Sequence, residues 1–184
     1  SFAIDFLKSN LDASSQTVRE EAITALVKLQ GREAVPVLID HLAGGSDLEA
    51  TKFALLQLLD KEHLAPVAKQ LPETTGKVKA AFIEIIGAKS GSQYFNEIYT
   101  LTNSQNDDVR VAAFAALQNV SSYNNISELI DKLLAVQDEK EIKPVQTAII
   151  EAVIEVEIES TEEGKLLQAL DRTNKKERTI AILP

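Results

Sequence analysis

Short blocks of apolar residues recur along the chain at helical spacing, and the blocks themselves return about every thirty residues. Val18, Ala22, Leu26 and Leu29 form the first block, and Ala50, Ala54 and Leu58 the second. Val78, Phe82 and Ile86 follow, then Val109, Ala113 and Leu117, then Val145, Ile149 and Val153. Steps of i, i+4 and i+8 keep side chains on one face of a helix. A second stripe follows each first one: Val35, Leu38, Ile39 and Leu42; Leu64, Val67, Ala68 and Leu71; Tyr94, Ile98 and Leu101; Ile126, Leu129, Ile130 and Leu133. Leu166, Leu167 and Leu170 suggest a last member. Two short amphipathic helices cannot bury their faces on their own, so successive pairs must stack. The expected fold is all-α: an α-solenoid of about five stacked antiparallel helix pairs, with repeats starting near 18, 50, 78, 109 and 145.

Breakers fall between the stripes, at Gly31, Gly44-Gly45, Pro72 to Gly76, Gly87 to Gly91 and Ser121 to Asn125. Ser14 or Ser15 is placed to cap the Val18 helix, and Asp107 or Asp108 the Val109 helix. Residues 2–11 read as the second helix of a preceding pair and 175–184 as the opening of a further first helix. The expectation is therefore one array over residues 1–184 that continues past both ends. Ala, Leu, Glu, Lys and Gln abound, while Gly and Pro number 7 and 5, a composition that favours helix.

The formal net charge is −9 and lies mostly in the second half. Residues 1–92 hold 10 basic and 12 acidic groups, and 93–184 hold 9 and 16. Such a surface repels phosphate backbones, which argues against nucleic acid as a partner. There is no Cys, so disulfide and thiolate chemistry are excluded. The longest apolar runs are too short to cross a bilayer, so membrane insertion is not expected. Localisation is left open.

Thr17-Val18-Arg19-Glu20-Glu21-Ala22, followed by Gly31-Arg32-Glu33-Ala34-Val35-Pro36-Val37-Leu38, resembles a HEAT-like repeat of the phycobilisome-lyase type. Asp107-Asp108-Val109-Arg110-Val111-Ala112-Ala113 resembles the start of another, with the family's Asp and Arg positions. The other copies keep the apolar pattern without that signature. The likeness spans roughly residues 12–172 and implies the fold, not one function, because such repeats occur in lyases, repair enzymes, transport receptors and scaffolds. It is also similar to repeat regions attached to carbohydrate-active domains in large bacterial exported proteins.

Chemistry is sparse. His41 and His63 have no partner His at i+3 or i+4, and they read as solvent-facing helix residues, not as metal ligands. Glu62, adjacent to His63, is expected on a different face, as is Asp40 beside His41. Gly87-Ala88-Lys89-Ser90-Gly91 is superficially similar to a phosphate loop, but Ala precedes the Lys and the segment follows a helix, so it reads as a turn within a pair. The acidic stretch Glu151 to Glu163, with Glu155, Glu157, Glu159, Glu162 and Glu163, reads as a helix running to about Val156 and then a charged turn, a solvated face and not a cation site. Tyr94 fits a core stripe, whereas Tyr99 and Tyr123 offer amphipathic rings at a surface or pack partly against neighbouring turns.

No catalytic residue, cofactor or metal is expected. The leading reading is a non-catalytic scaffold that binds a protein or peptide. The family resemblance implies that second helices line the concave face, which makes Asp40, His41, Lys69, Gln70, Glu97, Tyr99, Asp131 and Lys132 candidate partner-binding residues. Their mixed signs suit a polypeptide better than a polyanion. The alternatives are structural support for an attached catalytic domain, a carbohydrate-active one by the second similarity, and a bilin-lyase-like activity suggested by the resemblance alone.

Overall fold

The computed structural model describes residues 2–154. Among them every regular element is helical: α1 (Phe2–Asn10), α2 (Gln16–Gln30), α3 (Val35–Ala43), α4 (Leu48–Leu58), α5 (Ala65–Ala68), α6 (Gln70–Glu73), α7 (Gly76–Ala88), α8 (Phe95–Leu101), α9 (Asp107–Val120), α10 (Ile126–Ala135) and α11 (Glu139–Ile154). Four short 3-10 turns, Gly31–Ala34, Lys61–His63, Ser92–Tyr94 and Tyr123–Asn125, join the two helices of each pair. Their starts at 31, 61, 92 and 123 carry the repeat as plainly as the helices do.

First helices α2, α4, α7, α9 and α11 lie side by side in chain order, each packed on the next. Second helices α3, α8 and α10 pack on the first helix that follows, and α5 and α6 do the same on α7. Helix α1 packs on α2, the place of a second helix from a preceding pair. The fold is the expected all-α HEAT-like solenoid. The last stripe at Leu166, Leu167 and Leu170, the acidic stretch from Glu155 to Glu163 and the 175–184 segment lie outside the described residues.

One buried row runs through the second helices: Leu38, Val67, Ile98 and Leu129 are fully buried and 29, 31 and 31 residues apart. A second row comes from Leu26, Leu55, Ile86 and Leu117 on first helices, also fully buried and 29, 31 and 31 residues apart. Burying a side chain of this size contributes roughly 1.5–3 kcal/mol, so these two rows carry much of the fold's stability.

Several local expectations are corrected. Val18 and Leu29 are exposed, and α2 buries Ala22, Ile23 and Leu26 instead. A four-residue step overshoots the 3.6-residue turn by about 40°, so the stripe starts on the flank at Val18 and reaches the centre only at Ala22 and Leu26. Leu29, eleven residues on, returns to that flank. Tyr94 is half-buried in a 3-10 turn, and Phe95 and Ile98 fill the core position expected of it. The cap of α9 is neither Asp107 nor Asp108 but Asn106, whose side chain accepts from the Val109 N–H at 3.1 Å. Ser15 occupies the cap position of α2 without a side-chain hydrogen bond.

Helices α7 and α9 approach closely at Gly87 and Ala116. A Cβ on Gly87 would lie 2.9 Å from Ala116 Cβ and 3.0 Å from its Cα. Gly87→Ala should gain about 1 kcal/mol in helix propensity, but the contact is with a helix backbone that cannot step aside. Overpacking of that kind costs about 1–3 kcal/mol. The expected outcome of a urea denaturation is a net loss of stability for Gly87→Ala, partly restored in Gly87→Ala/Ala116→Gly.

Candidate functional site

Equivalent positions in the second helices follow from the buried row at Leu38, Val67, Ile98 and Leu129. Two residues further on, Asp40, Lys69, Thr100 and Asp131 form an exposed row along the stack. One residue before the buried row, Glu97 and Glu128 are exposed and the equivalent Val37 is half-buried. Asp40, Lys69, Glu97 and Asp131 are therefore where the helical phase put them. Thr100 and Glu128 share these rows and were missed. The register of the buried row would have found them, because it makes second helices superimpose residue by residue.

The next row behaves differently. His41, Gln70 and Lys132 occupy equivalent positions three residues after the buried row, and none is open to solvent as expected: His41 and Gln70 are half-buried and Lys132 is buried. At this angle the side chain points along the seam toward a neighbouring repeat. Lys132 Nζ donates to Asn103 Oδ1 at 2.9 Å and sits 4.6 Å from the Tyr99 ring centroid, a cation–π contact. Burial pushes the Lys132 ammonium below the ordinary lysine range. Tyr99 stacks on Phe95 with centroids 5.5 Å apart, and its hydroxyl donates to the Glu128 carbonyl at 3.1 Å. Burial first, and then the charges of Asp131 and Glu128, raise the Tyr99 phenol. Tyr99 is thus a half-buried strut between α8 and α10.

His41 is also a seam residue. Its side chain is 8% exposed, and Nε2 lies 3.1 Å from Oδ2 of Asp47, whose side chain is 1% exposed. Asp47 also accepts from Arg19, Nε to Oδ2 at 2.6 Å and one terminal nitrogen to Oδ1 at 2.9 Å. The guanidinium's remaining nitrogen donates to the Ala13 and Ser14 carbonyls at 2.9 and 3.2 Å. Asp47 holds a left-handed backbone, φ 48°, at the start of α4, a conformation Asp tolerates better than most residues. The bidentate bond from Arg19 holds its carboxyl below the usual range, against burial and with help from His41.

The same device recurs three repeats on. Arg110 Nε donates to Glu141 Oε1 at 2.8 Å, and other guanidinium nitrogens reach the Ser104 carbonyl at 3.0 Å and Asp107 at 2.7 Å. Lys52 bridges α4 and α7 through Glu84 at 2.5 Å. Arg19–Asp47, Lys52–Glu84, Tyr99–Glu128, Asn103–Lys132 and Arg110–Glu141 span 28, 32, 29, 29 and 31 positions, which is one repeat each. The arginine noticed in the sequence is thus a tie between repeats.

Asp60, Glu62 and His63 bring ligand atoms within 4.8 Å of one another, all exposed. An α-helix would set Glu62 and His63 on different faces, whereas the 3-10 turn gathers them. Arg32 contacts the Asp60 carboxylate and lies 3.4 and 3.5 Å from the His63 ring nitrogens, so a cation already serves this cluster. Gly87 and Ala88 end α7, and Lys89 to Gly91 form the turn before Ser92–Tyr94. No helix begins directly at that glycine turn to receive a phosphate. Among the described residues no helix is long and apolar enough to span a membrane.

Fold and inter-repeat ties together define a HEAT-like α-solenoid. Residues 18–44 match the family described as PBS lyase HEAT-like repeat, a segment that runs from Val18 through Arg19 and the second helix to Gly44. A search of curated proteins found no match to the chain.

Asp47 supplies a pH test. Its folded-state pKa is depressed, so its contribution is complete above the unfolded value of about 4 and is lost as pH falls through the lower folded value. Chemical denaturation from pH 6 downward should show Asp47→Asn less stable than wild type near neutrality. The gap should narrow in acid as the wild-type carboxylate protonates. A gap independent of pH would remove the charge from the account.

Proposed function

We propose that the chain is a non-catalytic scaffold that holds a protein or peptide partner along its second-helix face. One observation carries this reading: an open groove of about 410 Å³ between α6 and α8. Leu71, Pro72 and Leu101 supply its apolar part, and Lys79, Asn96, Glu97 and Thr100 its polar part. Apolar contact supplies affinity in such a groove, and flanking donors and charges fix register. The exposed row through Asp40, Lys69, Thr100 and Asp131 extends the same face over four repeats. Its alternation of charge and hydroxyl offers both hydrogen-bonding senses to an extended polypeptide, whereas a polyanion would meet three carboxylates at Asp40, Glu97 and Asp131.

A photo-crosslinking residue at Thr100 should capture a discrete polypeptide from the native source, and the same residue at Asn124, exposed on a 3-10 turn, should not. Glu97→Lys should weaken capture roughly ten-fold, the scale of one lost charge pair, with the melting temperature unchanged. Equal labelling from Thr100 and Asn124, or capture indifferent to Glu97→Lys, would move the partner site off this face.

A further inference from the structure

The first-helix face carries a second groove, about 490 Å³, where α4, α7 and α9 begin. Ala80 and Ala81 of α7 form its floor, and Ala112 and Ala115 of α9 form one wall. Alanine at these four positions is what opens it. On α4, by contrast, the large Phe53 ring stands exposed at the surface. Helix α7 is flanked by α4 and α9 and recessed between them, with Ala80 and Ala81 both buried. Val111 stands at the edge with 63% of its surface exposed.

The rim is acidic, with Glu49, Glu84, Asp107 and Asp108 against one lining cation, Lys77. Neighbouring cations do not cancel it at the surface. Lys52, which pairs with Glu49 and Glu84, is 17% exposed, while Glu49 is 85% exposed. Arg110 is 29% exposed beneath Asp107 at 84%. Lys52 and Arg110 lie low and the carboxylates stand out, and Lys77 is the single exposed cation of the lining against four carboxylates, so an approaching molecule meets net negative charge around an apolar trough. An acidic rim on an apolar floor is complementary to a helix or strand with small apolar anchors flanked by Lys and Arg.

We propose that this groove docks a basic amphipathic segment of a partner protein, through its apolar anchors on Ala80, Ala81, Val111 and Ala115 and its cations on the acidic rim. This surface is separate from the second-helix face, so either can fail without the other.

The probe is a synthetic helix with Leu on one face and Lys on the other, titrated by fluorescence anisotropy against the full chain, with a Glu-for-Lys peptide as control. Ala115→Trp puts a bulky side chain into the groove from an exposed position. It should weaken binding roughly ten-fold or more with the melting temperature retained, because the apolar anchors lose their seat. Asp108→Lys should weaken it by a comparable factor. Glu33→Lys makes the same charge change on the Gly31–Ala34 turn and should leave binding within about two-fold, since exposed charges beyond a Debye length are screened. Methyl NMR shifts should centre on Ala80, Ala81, Val111 and Ala115. Binding unaffected by Ala115→Trp, equal affinity for the Glu peptide, or equal losses from Glu33→Lys and Asp108→Lys would each overturn the proposal. A concentration-dependent dimer that Ala115→Trp dissolves would assign the groove to a second copy of the chain and overturn it as well.

Discussion

Helices inside the stack have apolar surface on more sides than their own partners can cover. Phe82, Ile83, Ile85 and Ile86 on α7 are all buried, although an isolated pair with α8 would leave much of that ring in water. Burial comes from α4 on one side and α9 on the other. The constraint then propagates: α9 needs α11 as α7 needs α9. Alanine and glycine at Gly87, Ala113 and Ala116 allow the close approach that turns a row of helices into a continuous core. The polar ties obey the same rule. Arg19, Lys52 and Arg110 each reach a carboxylate in the next repeat, so charge as well as apolar area is satisfied between neighbours.

The proposed function rests on what that geometry leaves over. Residues that point along the seam, such as His41, Asp47 and Lys132, are consumed by repeat-to-repeat contacts and have little left to offer a ligand. Residues that point away from both neighbours form straight rows at repeat spacing, and a linear partner can follow a straight row. Where outward side chains shrink to alanine on α7 and α9, the surface opens into a trough. The proposed binding surfaces are in this sense by-products of stacking: Gly87 and Ala116 let α7 and α9 approach, and other small residues on the same helices, Ala80, Ala81, Ala112 and Ala115, line the depression.

The repeat was legible in the sequence because burial imposes a period. Leu38, Val67, Ile98 and Leu129 are apolar for the same reason and recur at nearly constant spacing. Less legible was the angular position of residues next to that row. Asp40 and His41 are neighbours in sequence and differ by about 100° around the helix, which sends one to solvent and the other into a seam. Which of the two faces a seam depends on where the next repeat lies, and no local pattern states that. Asp47 was hidden for a different reason. It sits between stripes, in a loop, and its importance appears only when Arg19 of the previous repeat closes on it. Likewise Asn106 and not Asp107 or Asp108 caps α9, because the helix already begins at Asp107 and Asn106 is the extended residue whose side chain reaches the Val109 N–H.

The central claim is that each repeat is held by its immediate neighbours. Native-state hydrogen exchange on Phe82→Ala tests it most directly, since removing a buried Phe costs about 3–5 kcal/mol at one point in the stack. Protection should fall most in α7, substantially in α4 and α9, and least in α2 and α11. An equal loss of protection in every helix from α2 to α11 would show a single closed core and contradict the account.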